Sequence, residues 1–370
     1  MHSIASNSSS PSDRESEIDC LRPFDFSCFS PAFLTFARYV CSGVSVPSTL
    51  LNSVLNDASN EMMMLDRLFG SPILLRFPLK KTSLQKILKE IIEVTGSRGL
   101  EAPESLFLLL AECLRFDPAH VCHRIYISQD GLCASIILQE ANEQLSQGTT
   151  GLSIWQASCD LASYLSCVVR GNLCSISSVL EMGAGCGLAG LAAARSFPSA
   201  TVTLSDYDPN VLRQLNHNVR INFGNSDRVK VACLDWLSFD RRDSPFNPDL
   251  VIAADVVYDR SLLPALVGVL SQLLQSPSSP PSFPSHFTLP LALIACTLRD
   301  RDTLAAFDAE IEKSSLVIHR RIRVEEAEKS ESGRVFRDEG GALHGHASLF
   351  PHSSSLIAPT FIYHIGLSER

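Results

Sequence analysis

A chain of 370 residues, 45% hydrophobic and 19% charged, has material for one catalytic unit of about 200 residues and something smaller beside it. Its formal net charge of −9 argues against an extended nucleic-acid footprint. No run approaches the roughly 18 apolar residues of a membrane span, and the Ser-rich, acid-bearing stretch Met1–Asp19 has no apolar signal-peptide core, so a cytoplasmic protein without direct nucleic-acid or membrane contact is expected.

In chain order, residues 1–22 read as a disordered tail. Residues 23–123 are expected to form a mostly helical N-terminal domain, with Phe33–Val40, Pro47–Leu55, Leu84–Val94 and Pro103–Leu114 as candidate helices. In the third, Leu84, Ile87, Leu88, Ile91 and Ile92 recur at helical spacing opposite Lys86, Lys89 and Glu90. Residues 124–148 form a connection in which Ile125–Ile127 and Ala134–Leu138 flank Asp130-Gly131, the pattern of a β-hairpin.

From residue 149 to 370 strands and helices alternate. Val179-Leu180 is a buried strand leading through Gly183, Gly185, Gly187 and Gly190 into a Leu/Ala-rich helix. The strand Ala200–Ser205 ends at Asp206, and Asp208-Pro209 then reads as an N-cap followed by proline at the first helical position. Val229–Leu234 ends at Asp235-Trp236, and Asp249–Ala254 at Asp255-Val-Val-Tyr258. A helix over Ser261–Leu274 must place Pro264 in its first turn. Leu291–Thr297 is a fifth strand, Thr303–Lys313 a helix, and Leu316–Val324 and Thr360–Ile365 an antiparallel pair at the sheet edge. The Ser/Pro stretch 275–288 and the polar stretch 326–356 are expected to be irregular insertions.

This alternation predicts an α/β fold: a seven-stranded, Rossmann-like, mostly parallel sheet with an antiparallel last strand. The cysteines show no C-x-x-C pair, so free, mostly buried thiols in a reducing compartment are expected. His344, His346 and His352 lie in a Gly/Ser-rich stretch with no neighbouring cysteine, and no metal site is expected.

In open α/β sheets ligands bind beyond the carboxyl ends of the strands, and here four successive strands end in a polar or aromatic group. The glycine turn leaves room for close backbone approach. Because Gly185, Gly187 and Gly190 also satisfy G-x-G-x-x-G, the turn cannot choose its own cofactor. Glu181 can: an acid just before the turn suits a cationic amine and repels a pyrophosphate. That favours S-adenosylmethionine (AdoMet), with the turn on its methionine part, Asp206 on the ribose hydroxyls and Trp236 on the adenine. Trp155 could close over the ligand, Asp255 could hold an incoming amine, and Tyr258 could add a cation–π wall or a hydrogen bond.

Val179–Gly185, Ser205-Asp206, Leu234–Trp236, Ala253–Tyr258 and the tryptophan-bearing segment Thr150–Trp155 together resemble the seven-β-strand protein-lysine methyltransferases of family 16. Cys233–Trp236, Phe246–Tyr258 and Leu266–Leu270 resemble its branch that acts on translation elongation factor 2. The resemblance implies AdoMet bound through Trp155, Gly183, Ala184, Gly185, Asp206, Trp236 and Ala254, beside Glu181 as read from its position, with Asp255 and Tyr258 as catalytic residues facing a protein lysine, elongation factor 2 being the expected partner. The rival expectations are methylation of another protein or a small molecule, and a non-catalytic AdoMet-binding module, against which the intact Asp255-x-x-Tyr258 speaks. A nicotinamide-dependent enzyme is the outside alternative, disfavoured by Glu181 and Asp235-Trp236.

Overall fold

The computed structural model describes residues 26–55, 58–115, 121–127, 134–169, 176–275, 290–326, 333–338, 343–347, 350–351 and 358–368. The tail expected over 1–22, the Asp130-Gly131 turn and most of the Ser/Pro stretch 275–288 lie outside the described residues.

Helices α1 (Pro31–Cys41), α2 (Ser48–Val54), α3 (Ala58–Phe69), α4 (Pro72–Arg76), α5 (Lys81–Ser97) and α6 (Glu104–Leu114) open the chain. Ser30 caps α1, its hydroxyl accepting from Phe33 N–H at 3.3 Å, and Pro31 stands at the first helical position. α3 and α4 were not among the sequence candidates. The Met62–Met64 run gives α3 no clean polar face, and Gly70-Ser71-Pro72 breaks the chain between the two. These helices bury Phe33, Phe36, Leu55, Leu65, Leu68, Leu88 and Ile91 in one core.

That core is closed by a hairpin of β1 (Val121–Ile127) and β2 (Ala134–Ala141), paired antiparallel. The alternation of the strands decides its place. Ile125, Ile127 and Ile137 point into the helical core, while Tyr126, Ile136 and Leu138 point into the core of the large sheet. A two-stranded ribbon that is apolar on both faces must be covered on both, so it partitions two layers.

The main sheet follows the alternating reading. β3 (Ser178–Met182), β4 (Thr201–Asp206), β5 (Val229–Cys233), β6 (Leu250–Ala254) and β7 (Leu291–Thr297) are parallel, and β11 (Thr360–Leu367) runs antiparallel between β7 and β8 (Leu316–Glu326). α7 (Gln156–Tyr164) and α8 (Leu188–Ser196) share a core with Val179, Val202, Leu250 and Leu293 on one face. α10 (Leu263–Leu274) and α11 (Arg301–Glu312) share one with Leu180, Val251, Ala292 and Ile294 on the other. Pro264 falls in the first turn of α10 as its missing N–H requires.

The sheet has nine strands rather than seven, in the order β10-β9-β8-β11-β7-β6-β3-β4-β5. The extra two, β9 (Gly333–Asp338) and β10 (Leu343–Ala347), lie in the stretch 326–356 expected to be irregular. β9 pairs antiparallel with the far half of β8, covering an edge that would otherwise expose unpaired backbone groups. Its anchor is Phe336, buried 5.3 Å from the Tyr164 ring. The signal was only Val335-Phe336 between two arginines, too short for a strand pattern among glycines and histidines.

Helix α9 (Pro209–Phe223) begins where the sequence placed it, Asp208 accepting from Asn210 N–H and Val211 N–H at 2.7 and 3.2 Å. On its inner face Asn218 and Asn222, one turn apart, take the place of a neighbouring strand for β2. Asn222 accepts from Ile137 N–H at 2.9 Å and donates to Ile137 C=O at 2.6 Å; Asn218 does the same for Gln139 at 2.8 and 3.1 Å. The outer edge of the hairpin is thus satisfied by two side-chain amides, which tie the N-terminal layer to the sheet. Asn222→Ala is expected to cost about 2 kcal/mol, since a buried N–H and C=O lose their partners; urea unfolding measures it, and an unchanged midpoint would mean that the edge has another cover.

Candidate active site

The parallel strands β3, β4, β5 and β6 deliver their carboxyl ends to one rim, and a cleft of about 280 Å³ opens there, near the lower end of small-ligand sites. Every site residue expected from sequence lines it: Trp155, Glu181, Gly183, Ala184, Gly185, Asp206, Trp236, Ala254, Asp255 and Tyr258.

The floor is the turn after β3, where Gly183, Gly185 and Gly187 all have left-handed φ, as a side chain would resist. A Cβ on Gly183 would sit 2.9 Å from Val256 and 3.3 Å from the Trp236 ring; one on Gly185 would reach 3.1 Å from Gly151 C=O. The turn is therefore packed between the tryptophan of β5's end and the segment ahead of α7.

Glu181 is buried, and its Oε2 accepts from Gly190 N–H at 3.0 Å. Gly190 is the third residue of α8, so an N–H that a phosphate would need at a helix N-terminus is already taken by the protein's own acid. A Cβ on Gly190 would collide with that same oxygen. The third glycine of the dinucleotide-like pattern thus serves an internal carboxyl group. Burial lifts the pKa of Glu181 to about 8, with Gly190 N–H opposing and Asp206 reinforcing the shift.

Asp206 ends β4. Its Oδ2 accepts from Gly185 N–H at 3.2 Å, and its Oδ1 from Tyr207 N–H at 2.8 Å and Asp208 N–H at 3.2 Å. These bonds fix a carboxylate at the cleft, where it can accept from a vicinal diol. Burial raises its pKa and the three N–H groups pull it back.

Asp255 follows β6 with φ +55, uncommon for any residue with a Cβ although Asp tolerates it better than most. Its Oδ1 accepts from Thr297 N–H at 3.2 Å and its Oδ2 from Arg299 at 2.9 Å. Burial raises its pKa and the guanidinium opposes the rise. Tyr258, three residues on, is mostly exposed at the mouth; partial burial, then Tyr207, Asp206 and Asp259, raise its pKa and keep it a neutral phenol.

Sequence reasoning missed several members. Thr149, Thr150, Gly151, Ser153 and Ser158 also line the cleft, and only their place around Trp155 hinted at it. Tyr207 lines it too and is 67% exposed; its position directly after Asp206 was the available signal. Arg299 contacts both Asp255 and the Trp155 ring, and nothing in its local sequence distinguishes it.

The segment 149–155 is held by the hairpin. Ala141 N–H donates to Leu152 C=O at 2.7 Å and Ser153 Oγ to Glu143 C=O at 3.0 Å. Glu140, buried on β2, accepts from Arg124 at 2.6 Å and from Ile154 N–H at 3.3 Å, while Arg124 donates to Ser42 C=O at the end of α1. The backbone beside Trp155 is thereby braced by the N-terminal layer.

The residues present fit AdoMet. The glycines admit a ligand backbone-close, Asp206 suits a diol, Trp236 offers an aromatic face, and one of the helix N–H groups that would favour a phosphate, Gly190 N–H, is taken by Glu181.

Comparison with known proteins agrees with this chemistry. Residues 135–282 match the family model described as lysine methyltransferase. The human protein-lysine N-methyltransferase EEF2KMT is 31% identical over 286 residues, covering 74% of this chain and 83% of that protein. The Bos taurus protein of the same name is 31% identical over 300 residues, covering 74% and 84%. The mouse EEF1A lysine methyltransferase 3 is 35% identical over 123 residues, covering 32% of this chain and 49% of that protein. With the glycine turn, the strand-end acids and a likeness that spans most of its relatives, the chain belongs to the lysine methyltransferase family and is an AdoMet-dependent protein-lysine N-methyltransferase.

Proposed function

We propose that the chain transfers methyl groups from AdoMet to a lysine of translation elongation factor 2 in the cytoplasm. The observation that carries the choice of substrate is the reach of the likeness to EEF2KMT. It covers 74% of this chain, more than the part from Thr149 onward could supply, so it includes sequence ahead of the cleft. The mouse EEF1A enzyme matches only 32%.

In this reading the turn Gly183–Gly185, with Glu181, Ala254 and Trp155, holds the methionine part of the cofactor, Asp206 the ribose and Trp236 the adenine. When bound, AdoMet supplies a methyl group already activated by its sulfonium. What remains for the chain is alignment of a neutral amine and exclusion of water. Asp255 accepts the amine's hydrogen bond; its raised proton affinity makes it a stronger acceptor than a surface carboxylate. Tyr258, at the rim, walls the lysine stem with its ring. The lysine must lose its proton before attack: desolvation in the cleft lowers its pKa, and the Asp255 carboxylate opposes that shift while orienting the amine.

Labelled methyl transfer from AdoMet in cytosolic extract tests the reading. A band at the size of elongation factor 2, lost with Asp255→Asn, is expected; label confined to other proteins would sink the choice of substrate while leaving the chemistry. At the cofactor, Gly185→Ala is expected to weaken AdoMet binding about tenfold, by strain at left-handed φ and pressure on Gly151 C=O. Equilibrium titration reads this, and an unchanged Kd would remove the turn from the cofactor site.

A further inference from the structure

We infer that Arg299 is a positioning residue for methyl transfer: one guanidinium fixes the substrate-facing carboxylate of Asp255 and the ring of Trp155, setting two walls of the cleft as a unit. The inference rests on Asp255 being the residue that holds the amine.

Arg299 lies two residues beyond β7. Its N–H donates to Thr297 C=O at 2.8 Å, a tight turn that folds the chain back beside the end of β6. The side chain donates to Asp255 Oδ2 at 2.9 Å while its guanidinium carbon lies 4.7 Å from the centre of the Trp155 ring. Arg299 itself is not among the residues lining the cleft. It joins two lining residues without lining the cleft itself, which separates it from the groups that meet the ligand.

The geometry leaves Asp255 useful. Thr297 N–H occupies one oxygen and Arg299 the other, and Ala157 N–H also faces the carboxylate, but an ionised carboxylate offers about four lone-pair sites, so one remains for an amine. With φ at +55 the backbone sets the direction of the side chain, and the arginine sets its rotation. Trp155 is held at its other end, Nε1 donating to Thr150 C=O at 3.0 Å. A planar guanidinium can stack on an indole and donate in its own plane at once, which a lysine ammonium cannot do.

The groups facing Asp255 are the Arg299 guanidinium, Thr297 and the Cys296 thiol from the β7 side, and Ala157 N–H from α7. Protonating Asp255 therefore removes the anion that Arg299 is bonded to, and Trp155 should report the release. The chain has two tryptophans, so Trp236→Phe leaves Trp155 as the only one.

The test is an acid titration of Trp155 fluorescence in the cofactor-free Trp236→Phe protein. A single transition is expected, absent in Arg299→Met, absent in Asp255→Asn, and retained at lower amplitude in Arg299→Lys. In the otherwise native enzyme, Arg299→Met should lower kcat about tenfold and move the acid limb of the pH–rate profile upward. Added to Asp255→Asn it should cost less than about twofold more, because the two residues act as one unit. A transition that persists unchanged in Arg299→Met, or a full tenfold loss in the Asp255→Asn background, would overturn the inference. The fluorescence titration needs no substrate, so a chain inactive on elongation factor 2 would refute the proposed substrate and leave this result to stand or fall by itself.

Discussion

Asp255→Asn is expected to lower kcat by about 10²- to 10³-fold, the loss typical of one preorganised polar group at a reacting centre, while the Kd for AdoMet changes by less than about threefold. Asparagine is the informative replacement. Like aspartate it tolerates left-handed φ, so the backbone at +55 is kept, and its amide oxygen can still accept from Arg299 or Thr297 N–H. What it loses is the negative charge that, in the proposed mechanism, attracts and orients the substrate amine. Alanine would confuse this with the cost of strain at a residue whose conformation it resists. Single-turnover rates with saturating AdoMet, beside equilibrium binding of the cofactor, separate the two effects. A variant with native turnover would take Asp255 out of the mechanism, and one that no longer binds AdoMet would move it into the cofactor site.

How far the sequence could carry such an argument depends on what kind of contact sets each residue. Strand-end groups were legible because topology alone places them: once β3 to β6 are parallel, Glu181, Asp206, Trp236 and Asp255 must share a rim. The Asp208-Pro209 cap was legible for the opposite reason, being wholly local. Contacts across the chain were not. Arg299 meets Asp255 only because β6 and β7 are neighbours and the chain turns sharply after Thr297. Asn218 and Asn222 read as ordinary polar positions on an amphipathic helix until β2 is laid against them. The β9–β10 hairpin failed for want of pattern, its strands being stabilised by the open edge of β8 and by one buried phenylalanine.

Glu181 lines the cleft as expected, but its surroundings alter the argument that singled it out. The sequence reading treats it as an anion that repels a pyrophosphate. In the fold, burial lifts its pKa from 4.5 to about 8, so in the ligand-free protein it is largely protonated at neutral pH, and it disfavours a phosphate by occupying Gly190 N–H instead. The sign of the stability effect follows. Because the native state holds this proton more tightly than the unfolded chain, its stabilising contribution is complete below about 4.5 and is lost as pH rises through about 8. Above that the fold carries a buried anion at a cost on the order of a few kcal/mol. Glu181→Gln keeps an acceptor for Gly190 N–H without the charge. It is therefore expected to match the native protein near pH 5 and to exceed it by a few kcal/mol near pH 9 in urea unfolding; equal pH slopes would show that the carboxyl group is not buried as described. Ligand binding runs the other way. A cofactor ammonium held by Glu181 favours the anion, so AdoMet should bind the native protein more tightly as pH climbs toward about 8, with release of a proton, and Glu181→Gln should flatten that dependence and weaken binding. A phosphate-bearing ligand in the same place would bind more weakly as Glu181 ionises, so a slope of that opposite sign would show that Glu181 does not hold the cofactor's ammonium.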